Sequence, residues 1–377
     1  MMENPQNRIS AVGIGSAAAR LIDRLPSRAP REVRCLAIDS DRRILETLSV
    51  ESFALGRSNR APLGSGGDPR RGREWAAQAV QAFLQEIDPS TALLGAVFLG
   101  GGTGSGAAPV LLGEACRRGM FTAAVAVVPL EAEGPRRGEI TAVALDELRR
   151  SIDVVVRVNT GDLLGALPED ISVEQAFEKV YASLSVALAV LVGVIAGRCV
   201  INVSPADLAG GGGGQLGHAT LTVAYCGSDR DLLGNDQRGG LPGIGRIAPK
   251  RGLLLLLCGR QTPMHRMHTV VECVRGLLPG VEDLKVGAAV DRTRKGGLEA
   301  LLLVSETSSG KPLTSRAVTG TARRGGPRGR PVQGEFTFEG AHRGRFKGVQ
   351  PTIHAGRDLD IPTFIRRGIR LRGRPSG

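Results

Sequence analysis

The stretch Gly100-Gly101-Gly102-Thr103-Gly104-Ser105-Gly106 decides how this chain is read. An apolar, strand-like run (93–99) leads into it, and a helix-like run (107–118) leaves it. So many glycines expose backbone N–H groups and let them approach a ligand closely. At a helix start those donors, with the positive end of the helix dipole, favour a phosphate. A flexible linker is also rich in glycine, but it is not framed by a strand and a helix. The order is not that of the common phosphate loop. No Gly-Lys-Ser or Gly-Lys-Thr closes it, so no lysine reaches the phosphates, and no intact G-x-G-x-x-G with its distant acidic residue is present.

Outward from this word, the first half alternates short apolar runs with helix-like runs, the pattern of a parallel α/β sheet. Strands are expected at 9–14, 32–38, 93–99, 122–128 and 152–158. Helices are expected at 17–25, 41–48, 73–86, 107–118 and 139–150. Ligands of such sheets bind at the carboxyl ends of strands. Residues 13–18, 39–41, 64–73 and 100–106 fall at such ends or just after them. A long helix from Ser172 to about Arg198 closes this half. A second α/β unit follows, with strands at 219–224, 252–258, 285–290 and 298–304 and a helix at 267–278. From about Ser308 the patterns stop, and a Gly-, Arg-, Pro- and Thr-rich stretch reads as a linker. The expected organisation is a Rossmann-like nucleotide-binding domain over 8–171, a central helix over 172–198 and a smaller α/β domain over 199–307. A disordered basic linker over 308–357 and a docking peptide over 358–367 complete it.

At 377 residues and 42% apolar content the chain is long enough for two domains with full cores. Aromatics are only 3%, so those cores are built from Ala, Val, Leu and Ile. Six cysteines without a C-x-x-C pair read as inert buried thiols of a reduced, cytosolic protein. The polar first eight residues do not read as a secretory leader. Residues 180–197 carry no charge. They fit a buried core helix or a span slightly short of the ~20 residues a bilayer needs. His265 and His268 lack a third ligand other than Glu272, so no metal site is expected. The net charge of +12 concentrates between 316 and 374. That excess fits either a solvated linker or a surface that attracts nucleic acid or lipid head groups. No aromatic platform accompanies Arg323, Arg324, Arg328 and Arg330 for base stacking.

Several of these words, in order and over nearly the whole chain, resemble those of FtsZ, the bacterial branch of the tubulin/FtsZ superfamily. The glycine word followed by Ala107-Ala108-Pro109 is close to identical to the family signature. Gly13-Ile14-Gly15-Ser16-Ala17-Ala18 resembles its first glycine loop, with Ser and Ala in place of later glycines. Asp39-Ser40-Asp41 resembles N-T-D, and Gly64-Ser65-Gly66-Gly67-Asp68-Pro69 the loop that senses the terminal phosphate. Residues 131–137 resemble F-x-F-E-G-K-x-R, with Glu133 and Arg137 at the ribose contacts, and Phe177 matches the aromatic against the guanine. Residues 359–367 resemble the peptide by which FtsZ docks on FtsA and ZipA.

The resemblance implies a Rossmann-like GTPase fold, GTP or GDP with Mg2+ as companion ion, and a head-to-tail filament. It implies a cytoplasmic protein at the bacterial division site, with membrane tethers of the FtsA or ZipA type. The nucleotide contacts it implies are Gly13, Gly15, Ser16, Ala17, Gly101, Gly102, Thr103, Gly104, Ser105, Gly106, Glu133, Arg137, Asn159, Phe177 and Tyr181. The docking contacts are Asp360, Ile361, Pro362, Phe364, Ile365 and Arg366.

The departures matter as much. Tyr181 stands where the family reads the guanine edge with an Asp, and a phenol does not reproduce that bidentate acceptor. Val158-Asn159-Thr160-Gly161 replaces P-N-D, leaving Asn159 as the candidate second base contact. The catalytic word N-x-D-F-A-D becomes Asn202-Val203-Ser204-Pro205-Ala206-Asp207. Asp207 is then the surviving acid and Asn202 a supporting contact. Losing a water-orienting group costs ~10²–10⁴-fold in rate. Pro205 pushes Ser204 toward an extended conformation. Five consecutive glycines (210–214) follow, each costing a helix roughly 1 kcal/mol relative to alanine, so a mobile loop is expected. The expected function is a slowly hydrolysing, polymerising GTPase. The alternative is a non-hydrolysing FtsZ-like paralogue that binds nucleotide or FtsZ and regulates or scaffolds assembly.

Overall fold

Every residue of the first strand, Ile9–Ile14, is buried, because strands flank it on both edges and helices cover both faces. Strands in that position carry near-continuous apolar runs. A computed structural model describes residues 9–29, 32–56, 64–87, 92–165, 167–168, 170–197, 199–209, 219–234, 251–278, 281, 283–291, 294–305, 353–354 and 357–358. The first half runs β1 (Ile9–Ile14), α1 (Ser16–Asp23), β2 (Arg34–Asp39), α2 (Arg42–Leu45), β3 (Glu51–Ala54) and α3 (Pro69–Glu86). It continues with β4 (Ala92–Phe98), α4 (Gly102–Arg117), β5 (Phe121–Val128), α5 (Pro135–Ser151), β6 (Val154–Asn159) and α6 (Thr160–Gly165). Then come α7 (Val173–Ile195), β7 (Cys199–Ile201), α8 (Pro205–Leu208), β8 (Ala219–Ser228) and α9 (Asp229–Gly234). The last elements of this body are β9 (Arg251–Gly259), α10 (Met264–Leu277), β10 (Asp283–Asp291) and β11 (Leu298–Ser305).

These eleven strands form one sheet in the order β3-β2-β1-β4-β5-β6-β8-β11-β9-β10-β7. From β3 through β8 all neighbours are parallel. β11 runs antiparallel to both β8 and β9, and β7 to β10. The two α/β halves are therefore joined edge to edge, with residues 154–157 of β6 paired to residues 219–222 of β8.

Alternation along β6 sorts the core. Val154, Val156 and Val158 face the layer that holds α1 and α7. Val155 faces the layer that holds α3, α4 and α5. α7 is long and apolar enough to cross a membrane, but 72% of its apolar window is buried in the fold. It packs on β8, β9, β10 and β11, so the core-helix alternative is the one found. Each fully buried Leu or Val there contributes about 1.5–3 kcal/mol relative to exposure.

Two sequence expectations change. The glycine word is not a loop before a helix: residues 102–106 are already the first turns of α4. Glycines tolerate that helix because α3 packs closely over them. The helix expected over 41–48 is a single turn, α2, and the edge strand β3, only four residues long, showed no alternation. The linker stretch, described by itself in a separate unit of residues 312–377, contains a short antiparallel pair. In it β12 (Ile353–His354) bonds to β13 (Arg357–Asp358). The docking residues Asp360, Ile361, Pro362, Phe364, Ile365 and Arg366, the arginines 323–330 and the glycines 210–214 lie outside the described residues.

Candidate nucleotide site

Strand order reverses between β1 and β4, and an open α/β sheet leaves its ligand crevice at that switch point, beyond the strand ends. The chain leaves β1 through Gly15, whose φ of 93° suits only a residue without Cβ, and enters α1. It leaves β4 through Leu99 and Gly100 into α4. Both helices start from glycine N-caps without a side-chain cap. Each therefore presents uncapped N–H donors at the positive end of its dipole. They meet in a crevice of about 390 Å³ lined by Gly15, Ser16, Ala17, Gly101, Gly102, Thr103, Gly104 and Arg137. Asp39, Asp41, Phe98, Leu99 and residues 64–67 complete its wall.

Polar side chains fix that wall. Ser40 Oγ and Thr103 Oγ1 share a hydrogen bond of 2.7 Å, and Thr103 Oγ1 donates to Ser65 Oγ at 3.1 Å. This hydroxyl chain ties β2, α4 and the loop before α3 together. Buried Asp39 accepts from Ser16 Oγ (2.5 Å), Ser40 N (2.6 Å) and Asp41 N (3.2 Å). Asp41 accepts from Arg43 Nη2 at 2.7 Å, and that guanidinium holds its carboxyl below the usual range.

Of the expected contacts, eight line the crevice: Gly15, Ser16, Ala17, Gly101, Gly102, Thr103, Gly104 and Arg137. Three sit behind it. A Cβ on Gly13 would stand 2.3 Å from the Ala18 carbonyl oxygen, and one on Gly106 only 2.1 Å from that of Pro69. Ser105 Oγ accepts from Gly100 N at 2.9 Å. Glu133 pairs with Arg137 and accepts from Leu130 N at 2.9 Å. Asn159 accepts from Gly161 N at 2.9 Å as α6 begins.

Tyr181 borders the crevice without lining it. Its ring lies 5.7 Å from that of Phe98, the Arg24 guanidinium sits 4.9 Å over its face, and its hydroxyl is 3.5 Å from the Ala17 carbonyl oxygen. Burial pushes that hydroxyl's pKa up. Arg24 is itself held by both oxygens of Glu178, at 2.7 and 2.8 Å. Phe177, one turn earlier, is exposed.

Asn202 and Asp207 lie beyond the far end of α7, and Asn202 is exposed. Asp207 Oδ2 accepts from Ser204 N and Ser204 Oγ, both at 2.8 Å, a capping box on α8. Its Oδ1 is 2.6 Å from Lys285 Nζ on β10. Burial pushes the Asp207 carboxyl up, but the bonds from Lys285 and Ser204 outweigh it and leave it below the usual range. Sequence reasoning missed Lys285, which nothing in its own neighbourhood marks, and Phe98, which a place just before the glycine word could have flagged.

Residues 13–167 match the family described as Tubulin/FtsZ family, GTPase domain. That stretch belongs to the tubulin/FtsZ family. It carries the whole crevice, from Ile14 to Arg137. The FtsZ of Aquifex aeolicus is 29% identical over 202 residues, 53% of this chain and 55% of that protein. FtsZ 1 of Thermococcus kodakarensis is 24% identical over 321 residues, 82% of this chain and 83% of that protein. The chain thus spans about half the length of the Aquifex relative in its match. The FtsZ dimer of M. jannaschii superposes with a TM-score of 0.66 at 23% identity, over 80% of this chain and 89% of that one. CetZ2 of Haloferax volcanii, solved as a GTPγS-bound protofilament, gives 0.63 at 18%, over 80% and 94%. At those identities the structural likeness is one of fold.

Proposed function

We propose that this FtsZ-like chain binds GTP and GDP and assembles head to tail into filaments, hydrolysing GTP slowly at the joint between copies. The observation that carries this is the meeting of two uncapped helix N-termini, those of α1 and α4, on one crevice. Such a cradle suits a di- or triphosphate. Asp39 and Asp41 beside it fit an arrangement in which Mg2+ takes one or two carboxylates and completes its shell with phosphate oxygens and water. Among the described residues no group of three metal-ligating side chains stands ready without the nucleotide.

The surviving acid supports assembly. Between Tyr181 and Ile195 alone, α7 spans about 21 Å, and Asp207 follows after that. Within one copy Asp207 lies past the far end of α7, so a role for it at the crevice calls for a second copy. Related proteins named for cell division, and one solved as a nucleotide-bound protofilament, support the same reading. By the same resemblance the chain works at the division site in the cytoplasm. Its tail peptide meets FtsA- or ZipA-like tethers, and its basic stretch meets anionic lipid or nucleic acid.

One observation favours a second reading, a non-hydrolysing paralogue that scaffolds or regulates assembly. Both carboxylate oxygens of Asp207 are already engaged, by Lys285 and Ser204. Sedimentation with GTP, GDP and ATP, with released phosphate measured in parallel, separates the two. Slow GTP-dependent phosphate release that rises in Ser204→Asp supports the first. GTP-dependent pelleting with no release from either protein supports the second. No binding heat with any purine nucleotide overturns the first and leaves only a scaffold that works through FtsZ.

A further inference from the structure

The helix α5 separates two cavities. Arg137 faces the nucleotide crevice, whereas Gly138, Thr141, Leu145 and Arg149, three or four residues apart, line a second cavity of about 620 Å³. The end of β5 and Arg157 of β6 form its other walls. The two cavities share no residue. Arg157 interrupts a strand of valines, level with Ala126 and Thr222 on the neighbouring strands. A charge in that place needs a reason.

The Nε atoms of Arg149 and Arg157 are both buried, and neither has a hydrogen-bond partner. A buried donor on a charged group is costly when unmet. The Nε edge of a guanidinium is one of the edges that grips an oxyanion with two parallel bonds. Two carboxylates also border the cavity. Asp146 is already 2.6 Å from Arg150, and Glu131 stands exposed on the rim. The inner end is therefore cationic. The remaining wall is apolar, with Pro129, Leu130, Pro135 and Leu145. The volume matches that of small-molecule sites.

We propose that this cavity binds a phosphate monoester of a small apolar alcohol. The phosphate accepts from Arg149 and Arg157, and the apolar body lies against Pro129 and Leu130. The reading is independent of the nucleotide crevice. Phenyl phosphate titrated into the full chain by calorimetry tests it. Binding should weaken roughly ten- to hundredfold in Arg149→Gln and in Arg157→Gln, the range for a hydrogen bond to a charged group. Ala142→Trp fills the cavity from an exposed position on α5 and should abolish binding with the fold intact by circular dichroism. Gly101→Val, whose Cβ meets nothing within 4 Å and whose side chain blocks the crevice, should leave phenyl phosphate binding unchanged. Inorganic phosphate should bind at least tenfold more weakly. No binding of phenyl phosphate at millimolar concentration overturns the proposal. So does binding indifferent to Ala142→Trp and both arginine variants, or binding lost in Gly101→Val, or inorganic phosphate binding equally well.

Discussion

Gly106→Ala should destabilise this protein, although helix propensity alone says the reverse. Gly106 lies inside α4, where alanine is favoured over glycine by about 1 kcal/mol. The added Cβ, however, would stand 2.1 Å from the Pro69 carbonyl oxygen, 2.8 Å from Arg73 N and 2.9 Å from Pro69 C. Real Cβ atoms essentially never come within 3.0 Å of such atoms. The first turn of α3 must therefore retreat by about an ångström, and all three obstacles are backbone that no rotamer change can clear. Overpacking of that kind costs typically 1–3 kcal/mol. With three backbone clashes the steric term exceeds the propensity term, for a net loss of up to about 2 kcal/mol. Gly138→Ala is the matched control. It is also helical, on α5, and its Cβ would meet nothing within 4 Å, so it should stabilise by up to about 1 kcal/mol. Urea midpoints of the two variants against wild type should move in opposite directions. Because α3 also carries the loop with Ser65 against Thr103, GTP affinity should fall in Gly106→Ala and hold in Gly138→Ala. A Gly106→Ala protein as stable as Gly138→Ala would refute the close packing of α3 on α4.

Thr103→Val removes the middle of the Ser40–Thr103–Ser65 hydroxyl chain and should cost about 1–3 kcal/mol, because buried Ser65 loses its donor and Ser40 keeps only a long 3.5 Å bond to Asp39; thermal denaturation reads it. Lys285→Ala should let the Asp207 carboxyl climb back toward its ordinary value near ~3.9, followed by NMR titration. A depressed carboxylate stabilises the fold above its unfolded pKa and loses that contribution as pH falls through the folded value. The variant's deficit, below about 1 kcal/mol for so exposed a pair, should therefore be present at pH 7 and gone in strong acid. Burial pushes the thiols of Cys35 and Cys258 up to about 11 and that of Cys226 higher still. At pH 8 the thiolate fraction of Cys35 and Cys258 is about 10⁻³, and that of Cys226 lower, against roughly a quarter for a free cysteine. Disulfide-forming dyes should label them on the order of a hundredfold more slowly in the native chain than after unfolding.

Long apolar runs were legible because strands covered on both faces need them. Residues 93–99 and 252–258 found their places within one residue. The edge strand β3 (Glu51–Ala54) was not, since four residues, two exposed and two half-buried in sequence order, show no alternation. The crevice was readable in its glycines, whose lack of a side chain is the requirement itself. Its hydroxyl chain was not, because Ser40, Ser65 and Thr103 are far apart in sequence and acquire meaning only when the sheet order brings them together. Lys285 was invisible for the same reason: it reaches Asp207 from a strand 78 positions later in the chain.

The seam between the halves has a mechanical consequence. Twist applied to the β9–β11 end of the body passes to the crevice through four backbone pairings of β6 with β8, the bond from Arg28 Nη1 to Glu299 at 2.9 Å, and the α7 rod. Those connections act in parallel with the apolar core on α7 that both halves share, so stiffness there is divided among them. Pulling on single molecules should rupture the body first along this line, leaving the glycine-rich crevice folded while the other half lets go.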